Sequence, residues 1–196
     1  DTATDVIDEK AMELTEQLYR EALKPSKGRW LGLLEGHHFL QLKHGQTTDM
    51  RLAEMLDTRF LGSSALVRLV FACTVSTARG SVTIWCHHGA GGGQRAGSPL
   101  NKLDILPTYF NADIFLMGHC TKKVPAPLDR IHAVLGKGKN ARHHLIHRTV
   151  VIAATGGFSK SYQAGRRDGV VPRGNYVEQR MLTPAALGGI IVRITP

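Results

Sequence analysis

The side chains able to do chemistry stand at the ends of apolar runs. Val82 to Cys86 is mostly apolar and stops at His87-His88, followed by Gly89-Ala90-Gly91-Gly92-Gly93. Trp30 to Leu34 stops in the same way at Glu35-Gly36-His37-His38. Ala112 to Met117 stops at Gly118-His119-Cys120-Thr121-Lys122-Lys123. A strand that carries imidazoles to its tip, then backbone bare enough to approach a ligand, is a common way to build an α/β site. Neutral imidazole ligates zinc, iron and manganese, and three strand tips on one sheet edge can converge. A metal held there polarises a phosphoryl oxygen and lowers the pKa of bound water. An uncoordinated histidine beside it can protonate a leaving alkoxide. The plain alternative is that paired histidines at strand ends are surface residues and the glycines are only turns.

The elements that must position these groups alternate along the chain. Residues 5–23 have Ile7, Ala11, Leu14, Leu18 and Ala22 at helical spacing, with Asp5, Asp8 and Glu9 in the first turn, where they suit the helix dipole. Pro25 and Gly28 end that helix. Trp30 to Leu34 has strand length. Asp49 to Leu56 reads as a short helix capped by Thr48 or Asp49. Leu66 to Val75 and Val82 to Cys86 read as strands joined by the turn Ala78-Arg79-Gly80-Ser81, a plausible hairpin. Ser98-Pro99 starts a helix that runs to about Leu106 and is closed by Pro107. Ala112 to Met117 has the composition of a buried strand. Val124 to Gly138, with its prolines, reads as irregular or as an edge strand. Thr149 to Ala154 and Ile190 to Ile194 are further strands, while Gly156-Gly157 and Gly165 to Gly174 are turns or loops. Without a repeat or linker, residues 1–196 read as one domain.

Composition narrows the classes. The chain has 196 residues, 42% hydrophobic and 21% charged, which suits a single globular domain with a proper core. No run is long enough to span a membrane and the N-terminus is acidic, so the expected location is cytoplasmic. Cys73, Cys86 and Cys120 are scattered and odd in number, so no disulfide framework is implied, and no Cys-x-x-Cys pair exists. The formal charge of +9 favours an anionic partner. The basic residues cluster at Lys122-Lys123, from Lys137 to Arg148 and at Arg166-Arg167, without the interleaved aromatics of a single-strand binder. Ten histidines are many for this length, and eight of them fall in four small groups. No Gly-x-Ser-x-Gly elbow, phosphate-binding Walker loop or dinucleotide fingerprint competes with the histidine-tipped runs.

The order Gly36-His37-His38-Phe39, then His87-His88-Gly89 with its glycines, then Met117-Gly118-His119-Cys120-Thr121-Lys122-Lys123, resembles the calcineurin-like metallophosphoesterases, most closely their phage and bacterial members. The likeness extends to Thr155-Gly156-Gly157-Phe158-Ser159-Lys160 and Tyr176-Val177-Glu178-Gln179. The resemblance implies an α/β (α+β) fold, a two-sheet sandwich flanked by helices with ligands at the carboxyl ends of strands. It implies hydrolysis of a phosphomonoester or phosphodiester, with a small phosphoester or nucleic acid as partner and no membrane. It makes His38 the general acid. His37 becomes a metal ligand at the family's Asn position, as does His87, with His88 as the alternative, and His119 is a further ligand. The implied cofactor is a divalent transition metal (Mn, Fe or Zn), one site here against two in a complete family member. Thr121 stands where the family has a second histidine, and the family's upstream Asp-x-His and Gly-Asp are absent. With a first residue Asp1 and no initiator Met, the chain is expected to be N-terminally incomplete. Alternatively it is a catalytically degenerate binding or structural module, or a DNA-directed nuclease.

Overall fold

The structure, a computed structural model, describes residues 3–42, 45–72, 79–91, 93, 95, 97–138, 142–158, 162 and 176–195. Its chain contacts divide it into two compact units, Asp1–Ala65 and Leu66–Pro196.

In the N-terminal unit the long helix α1 spans Ala3–Leu23 and ends in a 3-10 turn over Lys24–Ser26, because Pro25 cannot continue the α-helical bonding. The stripe expected to be buried is not. Leu14 and Leu18 are 58% and 59% exposed, while Met12 and Glu16 are half-buried. The helix turns that second face toward α2, Thr48–Met55, where Arg51 pairs with Glu16 at 2.8 Å. Thr47 caps α2, one residue before the expected cap: its backbone is still extended and its hydroxyl accepts from the Met50 N–H at 3.3 Å. Trp30 to Leu34 forms no strand. It makes one parallel bridge, Leu33 with Phe60, through Leu33 N–H to Arg59 O and Leu61 N–H to Leu33 O.

The C-terminal unit is built on one mixed five-stranded sheet in the order β1-β2-β3-β5-β4. Its strands are β1 Ser64–Ala72, β2 Arg79–His87, β3 Ile114–Met117, β4 Lys123–Val134 and β5 His144–Thr155. The sequence reading expects two sheets; the described residues form this single sheet, with helices packed on it. The Ser98-Pro99 start gives two short helices, α3 Leu100–Leu103 and α4 Leu106–Tyr109. Pro107 lies in the first turn of α4, where its missing N–H costs nothing, so it opens a helix where it was expected to close one. A last short helix, α5, covers Tyr176–Gln179. Ile190 to Ile194 is not a strand, and Ile191 is 95% exposed. Gly165 to Gly174 and the end of the expected first hairpin strand, 73–75, lie outside the described residues. No helix among the described residues is long and apolar enough to cross a membrane.

Strands β2, β3 and β5 run parallel, with His87 opposite Met117 and Met117 opposite Ala154. Their carboxyl ends therefore finish flush on one edge. β3 is short and almost wholly buried, as a central parallel strand covered on both faces must be. Phe115, Leu103, Ile152 and Val150 fill the core, with Trp85, Leu100, Leu106 and Cys120 packed around them. β4 pairs antiparallel with β5 and forms the sheet edge, which reconciles it with Pro125 and Pro127: both can sit there because the missing N–H groups face outward.

The opposite end of the parallel strands is stitched by Asp113. Its carboxylate accepts from the Thr83 N–H at 2.8 Å and pairs with the Arg148 guanidinium of β5. Its own N–H and C=O bond to Thr83 and Val151 at 2.8 and 2.9 Å. Asp113→Ala leaves the Thr83 amide and the arginine without their acceptor. We expect a loss of about 2–3 kcal/mol of stability, read as a lower urea midpoint with an unchanged m-value.

Candidate metal centre

The flush edge brings two of the expected histidines together. β2 ends at His87, and the next residue, His88, turns to the opposite side of the strand. β3 ends at Met117, and the Gly118 N–H donates to His87 O at 3.1 Å, carrying the parallel ladder one step further. The rings of His88 and His119 then meet edge-on, with centroids 5.3 Å apart and planes at 72°. Each offers a ring nitrogen within 4.8 Å of the other's. Two imidazoles sharing one ion hold their nitrogens roughly 3–4 Å apart, each about 2.1 Å from the metal. The pair therefore fits a single ion after a modest rotation of either ring, and an all-imidazole set is of the kind that zinc or iron takes.

His87, placed ahead of His88 by the sequence reading, has a different environment. Its ring stacks on Trp85 two residues back, with centroids 5.6 Å apart and planes at 15°. Its Nδ1 accepts the Gly89 N–H at 2.6 Å. A neutral imidazole that accepts at Nδ1 carries its proton on Nε2 and has no lone pair left for a metal.

Backbone strain holds the pair. The Cys120 N–H donates back to Gly118 O at 2.7 Å, closing a three-residue turn over His119, whose φ is +62°. Such γ-turns with positive φ are strained, and histidine tolerates that region better than most residues. Gly89 is required on the facing loop. Its φ is +96°, and a Cβ there would lie 2.7 Å from Gly118 O and 2.8 Å from the Met117 side chain. Gly118 has no room either, since its Cβ would come 3.0 Å from His88 O.

Two lysines make this edge positive. Lys102 of α3 donates its ammonium to Ala90 O, and Lys122 donates to Gly93 O at 3.1 Å, so both hold carbonyls of the Gly-rich loop. Their field reaches Cys120: burial pushes its thiol above the ordinary value, and Lys102 and Lys122 pull it partway back. The sequence signal for Lys122 was a basic pair, but nothing in the spacing joined Lys102 to the loop twelve residues before it.

His37 and His38 belong to the N-terminal unit. Their rings lie 3.9 Å apart at 46°. The Gly36 N–H that precedes them donates to Asp49 Oδ2 at 2.7 Å, which ties the segment to the start of α2. Asp49 is free to do so because Thr47 does the capping. His38 lines a cleft of about 500 Å³ with Thr15, Glu16, Tyr19, Asp49 and Met55. Glu16 Oε2 binds Arg51, while Oε1 is buried without a partner among the described residues.

The loop geometry predicts that Gly89→Ala separates the histidine pair. The methyl group has nowhere to go and the backbone must leave its positive φ. A loss of about 1–3 kcal/mol is expected, together with a change in the His88 and His119 ring resonances in NMR. Gly138→Ala, at an open positive-φ turn with nothing within 4 Å of the added Cβ, is the control for φ alone and leaves those resonances in place.

Comparison with protein-family models, with curated proteins and with solved structures finds no match, so the centre is read from its own chemistry.

Proposed function

We propose that the protein is a metal-dependent phosphoesterase of the calcineurin-like type, acting on a phosphomonoester or phosphodiester. The observation that carries this reading is the His88–His119 pair on the carboxyl edge of three parallel strands, beside the lysine-held glycine loop. His88 and His119 would hold one Mn, Fe or Zn ion. A divalent ion bound there supplies Lewis-acid chemistry, polarising a phosphoryl oxygen and acidifying water. Lys102 and Lys122 contribute positive charge that draws an anionic phosphate to the loop, where bare glycine backbone leaves room for its oxygens. His37 as a further ligand and His38 as proton donor to the departing oxygen follow the order of motifs. The family's two-sheet sandwich comes with that resemblance, and a cytoplasmic location is proposed from the lack of a membrane-length apolar run and the acidic N-terminus.

One observation favours a second reading, a metal-binding module without hydrolysis. The candidate ligand group holds histidine only, with no carboxylate, and Thr121 occupies the family's second histidine position.

Metal content and turnover decide between them. Protein purified in the presence of manganese should retain about one transition-metal ion per chain. It should hydrolyse bis(p-nitrophenyl) phosphate or p-nitrophenyl phosphate. His88→Ala and His119→Ala should each lose the ion and at least about a hundredfold in kcat/KM. His38→Ala should keep the ion and lower kcat by about 10²–10⁴. Bound metal without turnover supports the binding module. Undiminished metal content in the His88→Ala/His119→Ala double variant would sink both.

A further inference from the structure

β3 pairs with β5 only from Val151 to Ala154, whereas β4 and β5 stay paired far beyond it, from Leu128 opposite Val150 to Val134 opposite His144. Leu128 and Val150 still belong to the core, and the six pairs from Asp129–Thr149 to Val134–His144 form a two-stranded ribbon about 20 Å long that extends past the body of the sheet. A bare ribbon of this kind buries little, and Ile131, Leu135 and Leu145 are 60–70% exposed on it.

Its charge is one-sided. From Leu128 to Thr149 the sequence carries Arg130, Lys137, Lys139, Arg142 and Arg148 against the single acid Asp129, whose carboxylate is engaged by the Thr149 hydroxyl at 2.7 Å. Lys137, Arg142, His143, His144 and His147 are exposed at the tip and along the return strand. The alternation of the strands places Arg130, His132, Arg148 and His144 on one face, and Ile131, Ala133, Leu145 and His147 on the other.

The geometry points to this ribbon as a docking arm for double-stranded DNA. The major groove of B-DNA is about 12 Å wide and admits a two-stranded β-ribbon, whose cations reach phosphates while aliphatic side chains meet thymine methyls. Other anionic surfaces fit less well. Single strands are gripped chiefly by stacking on Phe, Tyr and Trp, and residues 128–149 contain none of these. Membrane interfaces favour Trp and Tyr, which are equally absent. The major groove of duplex RNA is too narrow for a ribbon. The arm needs neither metal nor catalysis, so it stands separately from the phosphoesterase reading.

The test is fluorescence anisotropy with the full chain in EDTA, using a mixed-sequence DNA duplex of about 20 bp across about 50–200 mM salt. Wild-type protein should bind it more tightly than single-stranded DNA, duplex RNA or phosphatidylserine vesicles. Lys137→Glu/Arg142→Glu, at exposed positions of the turn, should weaken binding at least about tenfold and make the salt slope shallower by about two. Lys24→Glu/Lys27→Glu changes net charge equally in the N-terminal unit and should leave affinity within about twofold. Should the turn variant unfold, Lys137→Gln and Arg142→Gln singly are expected to flatten the slope by about one each. The inference is overturned if the turn variant loses no more affinity than the Lys24/Lys27 control, or if any of the other three ligands binds better than duplex DNA.

Discussion

The geometry of the candidate centre depends on the register of three parallel strands, and Asp113 is the residue that fixes it. One carboxylate accepts the Thr83 N–H and the Arg148 guanidinium, while the same residue's peptide groups bond to Thr83 and Val151. β2 and β5 are therefore locked to the entry end of β3. Everything at the exit ends follows by counting residues. His87, Met117 and Ala154 finish level, so His88 stands level with Gly118 just beyond the edge and His119 one residue further on. A slip of one residue in β2 would send His88 to the Trp85 side and bring His87 round toward His119.

A fixed register alone would not make the two imidazoles meet. The turn at His119 costs backbone strain, and that strain persists only because its surroundings over-determine it. Gly89 and Gly118 let two backbones approach to a separation that no Cβ would permit. Lys102 and Lys122 tether the loop carbonyls from outside. The tethers also set the electrostatics of the site, since the two ammonium groups oppose the effect of burial on Cys120. Positioning and charge thus come from the same side chains.

The sequence made some of this legible. Apolar runs that stop at histidine marked two true strand ends, at His87 and Met117-Gly118-His119, and the Gly-rich loop fell between them. The prolines of β4 pointed to an edge, and an edge is where β4 lies. The choice between His87 and His88 was not legible, because neighbours on a strand differ only by parity and parity is set by the partner strand. Trp30 to Leu34 has strand composition but meets only one bridging residue, Phe60, so no ladder forms. On α1 the periodicity of Leu14 and Leu18 was real, yet the Glu16–Arg51 ion pair and Met12 mark the face that turns toward α2. Lys102 and Asp49 act across 12 and 13 residues of chain, on backbone groups that carry no sequence signal.

The unequal lengths of β3 and β5 explain why the sheet ends in an arm. β3 has four residues and β5 has twelve, so only the Thr155 half of β5 can be covered on both sides. In that half, opposite Val151 and Ala153, β4 carries Pro127 and Pro125, which close its outer edge to further pairing. The distal half has no proline and leaves backbone donors and acceptors open along both edges. Charge is the usual remedy for such an edge, but one or two lysines, or charges of mixed sign, would be enough to discourage pairing. Four described cations, Arg130, Lys137, Arg142 and Arg148, go beyond that need even with Asp129 and Asp113 beside them, and an anion along the ribbon relieves their mutual repulsion. Arg130 directly opposite Arg148 makes the point most plainly. Like charges facing each other across a strand pair are destabilising, and among the described residues Asp113 offsets Arg148. Arg130 is the cation whose placement makes sense when a phosphate approaches that face.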